Sequence, residues 1–65
     1  MDIAELRQKI LLVLEKEPDL FYSMDELSEQ FGLERWLVQK AVSQLHDARR
    51  VHLRVKDGHV YARWR

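Results

Sequence analysis

Two stretches of the chain carry side chains suited to gripping a polyanion. Arg35, Trp36, Gln39, Lys40, Ser43 and Gln44 fall close together. Arginine and lysine reach guanine edges, glutamine reaches adenine edges, and serine bonds bases or phosphates. Further on, Arg54, Lys56, His59 and Arg63 stand among apolar residues, with Arg49 and Arg50 just ahead of them. Cations in such a pattern neutralise phosphates. Plainer roles fit the same residues: a helix face turned to water, basic residues guarding a sheet edge, or arginines bonding the last carbonyls of a helix. Tyr61 suits stacking on a sugar or base, and equally a cross-strand cation–π pair with Arg54.

Other chemistries find little footing. The three histidines, His46, His52 and His59, do not have metal-ligand spacing. On a strand pair, His59 would lie four residues from the partner of His52, about 13 Å away, which is too far for one ion. There is no Gly-rich phosphate loop, nucleophile elbow or paired carboxylate set beside a cleft. No enzyme activity, cofactor or metal is therefore expected. With no cysteine, disulfides and thiolate zinc sites are excluded.

The formal net charge of zero conceals a division. Residues 1–34 carry nine acids against three bases, a net of −6, and residues 35–65 carry eight bases against two acids, a net of +6. Such a molecule is dipolar, with one side suited to a polyanion. Attraction between the unlike halves would also account for the division. Sixty-five residues make one domain, 1–65, able to bury roughly 60% of its unfolded surface and hardly able to hold a deep cavity as well. The longest apolar run, Ile10 to Leu14, has five residues, far below the ~20 that span a bilayer. Asp2 and Glu5 stand where a signal peptide would be basic. A soluble, cytoplasmic protein is expected.

Periodicity supplies the elements that must position these groups. Ile3, Leu6, Ile10, Val13 and Leu14 mark one face of a helix over 2–16, leaving Leu12 outside the stripe. Pro18 stops that helix, and Leu20-Phe21-Tyr22 suits a short edge strand, 20–22. Ser23 with Glu26 forms a capping-box signature for a helix over 24–31, ended by Gly32. A third helix, 34–48, buries Val38, Ala41, Val42 and Leu45. The period then changes to two. Asp57-Gly58 is a hairpin turn joining strands 51–56 and 59–64. Pairing Val51 with Trp64, Leu53 with Ala62 and Val55 with Val60 makes one face wholly apolar. Lys56–His59, Arg54–Tyr61 and His52–Arg63 then make the other face basic, and a one-residue slip would mix the two sets.

Three helices, a short strand and a C-terminal hairpin, in that order, resemble the winged helix-turn-helix DNA-binding domain family. The resemblance is carried by Ser23-Met24-Asp25-Glu26-Leu27-Ser28-Glu29-Gln30-Phe31-Gly32-Leu33, by Val38, Ala41, Val42 and Leu45, and by the hairpin. It implies an α+β, mainly α fold whose third helix is a recognition helix entering the major groove of double-stranded DNA while the hairpin wing holds the backbone. A small bacterial-type transcriptional or mobile-element regulator is the function it implies. Arg35, Gln39, Lys40, Ser43 and Gln44 would then lie in the groove with Trp36 at its rim. Arg49, Arg50, Arg54, Lys56, His59 and Arg63 would hold phosphates. Two positions depart from the family, which carries small polar residues where this chain has Trp36 and Leu37. Trp36 is then a base or sugar contact, a partner's anchor, or a lid on the core. Glu34, at the N-cap of the third helix, together with Asp47 and Asp57, would repel phosphate, so that a second copy or a partner is needed for tight binding. The alternative is a protein-interaction module without DNA binding, docking a partner or a second copy through Trp36, Leu37 or Leu12.

Overall fold

The starts of the first two helices and the ends of the last two rest on local chemistry that can be named. In a computed structural model describing residues 1–65, helix α1 spans Ile3–Lys16. Asp2 is its N-cap rather than its first residue, and the Asp2 carboxylate accepts from the Glu5 amide at 2.8 Å. Helix α2, Met24–Phe31, opens on a complete capping box: the Glu26 amide donates to Ser23 Oγ at 3.0 Å, and the Ser23 amide donates to Glu26 Oε1 at 3.2 Å. It closes on Gly32, in the left-handed region at φ 63°. There the Gly32 and Leu33 amides donate to the Glu29 and Ser28 carbonyls. Helix α3 is Arg35–Asp47, one residue shorter at each end than its pattern indicates, because Glu34 and Ala48 are its caps.

The sheet has three antiparallel strands in the order β1-β3-β2, with β1 at Tyr22–Ser23, β2 at Val51–Lys56 and β3 at His59–Trp64. The hairpin register is the one expected pair by pair, from Val51 opposite Trp64 to Lys56 opposite His59. Asp57 and Gly58 both have positive φ, 51° and 76°, as a type I′ turn requires. The first strand corrects the 20–22 expectation. Leu20 belongs to the preceding turn, where its amide donates to the Glu17 carbonyl, and pairing starts only at Tyr22 opposite Ala62. Ser23 is thus both the last residue of β1 and the cap of α2. β3, the last strand in the chain, becomes the central strand.

The core is a single cluster of 12 buried residues drawn from all three helices and the sheet. From α1 come Leu6, Ile10, Leu11 and Leu14; from α2, Met24 and Leu27; from α3, Val38, Ala41, Val42 and Leu45; from the strands, Val51 and Ala62. Leu11 adds to the expected α1 stripe, since α1 packs against both α3 and the sheet. The apolar face of the hairpin does not stay covered along its length. Val51 is 1% exposed but Val55 is 71% exposed, because the hairpin extends past the helices toward its turn. Trp64, on that same apolar face and as a large apolar residue expected to be core, is half-buried at the core's margin. The Cα radius of gyration, 10.4 Å, is that of one packed unit; about 11 Å is typical for this length. The result is a small α+β domain, mainly helical, and no helix is long and apolar enough to cross a membrane.

Candidate nucleic-acid interface

Helix α3 is held by its buried stripe, so its opposite side is turned to solvent. Trp36, Lys40, Ser43 and Asp47 recur there at i, i+4, i+7 and i+11, and all four are exposed. Gln39 flanks this strip and is half-buried. Asp47 puts a carboxylate on the same strip as Lys40. Arg35 stands at the first turn and is engaged: its guanidinium lies 3.4 Å from Asp25 of α2. Gln44 does not join the group. It is turned toward α1, where its amide oxygen accepts from Arg7.

Trp36 is 60% exposed, which removes the reading of it as a lid on the core. Its indole N–H donates to the Glu34 carboxylate. Glu34 makes no side-chain cap to α3 and serves the indole instead. Leu37 packs against the core and is not a second exposed anchor beside Trp36. Leu12 is exposed, alone on the outer side of α1.

Arg49 and Arg50 follow α3, and their backbone amides close it. Those amides donate to the His46 and Leu45 carbonyls at 2.9 Å each, the same motif that ends α2. Here the left-handed position is filled by Arg49, at φ 59°, where α2 uses Gly32. Both arginine side chains are left exposed.

On the hairpin, pleat alternation sends Val51, Leu53, Val60, Ala62 and Trp64 toward the helices. His52, Arg54, Lys56, His59, Tyr61 and Arg63 therefore share the outer face. Phe21, one residue before β1, falls on that face too, since Tyr22 beside it packs inward. The Arg54 and Arg63 guanidiniums stand 5.2 and 5.3 Å from the Phe21 ring centroid. Arg54 thus takes Phe21 as its aromatic partner, not Tyr61 as the hairpin pairing suggests. Arg63 also lies 3.9 Å from the exposed Asp19 carboxylate, and its buried Nε has no hydrogen-bond partner.

The expected contact residues thus occupy three places. Trp36, Gln39, Lys40 and Ser43 line the outer side of α3, Arg49 and Arg50 follow its end, and Arg54, Lys56, His59 and Arg63 lie on the outer sheet face. Phe21 is the residue that sequence reasoning missed. Comparison with protein-family models, curated proteins and solved structures finds no match for this chain.

Proposed function

We propose that this chain is a winged helix-turn-helix domain that binds double-stranded DNA, with α3 as the recognition helix and the β2–β3 hairpin as the wing. A small transcriptional or mobile-element regulator is the role this reading implies. The order α1-β1-α2-α3-β2-β3, with β1 and β2 flanking β3, supports the fold reading. The observation that carries the binding reading is that the positive charge of residues 35–65 stays largely free. Of its eight bases only Arg35 and Arg63 are within ion-pair distance of a carboxylate. Lys40, Arg49, Arg50, Arg54, Lys56 and Arg65 are all exposed and unpaired. Mutual attraction of the unlike halves therefore leaves most of the positive charge unused.

In this reading Gln39, Lys40 and Ser43 meet base edges and Arg49, Arg50 and Lys56 meet phosphates. Glu34, Asp47 and Asp57 oppose the phosphates, which limits the affinity of one copy. The test is fluorescence anisotropy with a random-sequence duplex at low and near-physiological salt. Binding at low salt that falls linearly in a log–log plot against salt supports the reading. Absence of binding at low salt would overturn it. The exposed Trp36 favours one competing reading, a protein-interaction module anchored at that ring. Trp36→Ala discriminates, since it would abolish partner capture and leave the salt slope of duplex binding unchanged.

A further inference from the structure

We infer that the outer face of the sheet is a binding site for single-stranded nucleic acid, with bases stacking on Phe21 and Tyr61 and phosphates held by Arg54, Lys56 and Arg63. Phe21, Arg54, Lys56 and Tyr61 line a shallow recess of about 230 Å³ on this face. Its composition is that of a strand-binding platform: two aromatic rings for base faces, set among cations that follow a phosphate backbone. Phe21 has no role in the core. It is half-exposed, lies on the side of the sheet turned from the helices, and gathers two guanidiniums around one ring. Both guanidiniums thereby stand beside the recess, where a phosphate can reach them.

Charge on the face is one-sided. Arg54, Lys56 and Arg63 come from β2 and β3, and neither strand places an acid there. The acids near its edges are Asp19, 3.9 Å from Arg63, and Asp57 at the turn. Asp19 is fully exposed, so a phosphate displaces it at little cost. A duplex presents its phosphates but keeps its base faces stacked, so it cannot use the two rings. A single strand can use both. This inference shares Arg54, Lys56 and Arg63 with the duplex reading but does not depend on it, because α3 takes no part.

The experiment compares three fluorescein-labelled probes by anisotropy: a short non-self-complementary DNA strand, an abasic strand of equal length, and the duplex. Expected results are binding of the strand, binding at least about fivefold weaker for the abasic strand, and a similar loss for Phe21→Leu or Tyr61→Leu against the normal strand. Tyr61→Phe should keep wild-type affinity, since the ring remains. Neither leucine variant should change duplex affinity, whereas Lys40→Ala should weaken the duplex alone. Circular dichroism melts confirm that each variant folds, and the abasic comparison on the unmutated chain stands should one not. Equal binding of normal and abasic strands, or no strand binding at low salt, would overturn the inference. Strand binding without duplex binding would leave it standing and overturn the duplex reading instead.

Discussion

Arg49 holds a backbone conformation that a glycine would hold more easily. A left-handed conformation costs an L-residue ~1–2 kcal/mol, and the equivalent position at the end of α2 is glycine. Arg49→Gly should therefore stabilise the domain by about 1 kcal/mol, raising Tm by roughly 4–8 °C at this size. In the duplex reading the same change removes a phosphate contact and lowers the salt slope by about 1. A stabilised variant with an unchanged slope would show that the side chain does not touch the backbone. Asp57 also has positive φ, in the type I′ turn, where asparagine is equally suited. Asp57→Asn should leave Tm unchanged and raise duplex affinity at low salt, with the gain fading as salt rises. At this scale the sequence was only partly legible. Ser23 and Glu26 declare their capping box by type and spacing alone. The place of Phe21 depends on which strand Tyr22 pairs with, a long-range fact that no local pattern encodes.

The hairpin is the element most completely legible, for a physical reason. Period-two alternation on both strands and the Asp-Gly turn each specify the same register, so they cannot disagree without burying charge. Where the helices stop covering that face depends on their lengths and docking, and the alternation of Val51, Leu53 and Val55 gives no hint of it. A paired substitution measures the boundary. Val51→Thr buries a hydroxyl at a 1% exposed site and should cost ~1–3 kcal/mol. Val55→Thr, four residues along the same face, should change stability by less than about 0.5 kcal/mol. Urea denaturation midpoints compare the two directly. An equal loss would mean that something, a second copy included, covers Val55 in solution. For α3, the buried stripe was legible from Val38, Ala41, Val42 and Leu45. The side of the helix on which Gln44 meets Arg7 of α1 was not, because helix packing decides which flank stays open.

The whole molecule sets a limit on duplex affinity that the separate contacts do not show. Six bases of residues 35–65 are free, and two more are held by carboxylates exposed enough to be exchanged for phosphate. Each phosphate neutralised on B-DNA contributes a log–log salt slope of about −0.9. One copy using only its free bases can reach a slope of about −5, and one that also recruits Arg35 and Arg63 about −7. The nine acids of residues 1–34 can only reduce these values. Titrating an unlabelled-sequence duplex across salt, with sedimentation velocity to count copies, separates two arrangements. A slope shallower than −5, falling by about 1 for Arg54→Ala and again for Lys56→Ala while Lys40→Ala alters sequence preference instead, fits a single copy with α3 and the hairpin both engaged. A slope steeper than −7 exceeds what the eight bases of residues 35–65 can produce, and sedimentation velocity then tells a second copy on the duplex from recruitment of Arg7, Lys9 and Lys16. If a second copy is found, the exposed Leu12 and Trp36 are the first places to look for the contact between the two. A slope near zero at measurable affinity would mean that the charge division orients the molecule toward something other than a phosphate backbone, and the duplex reading would then be abandoned.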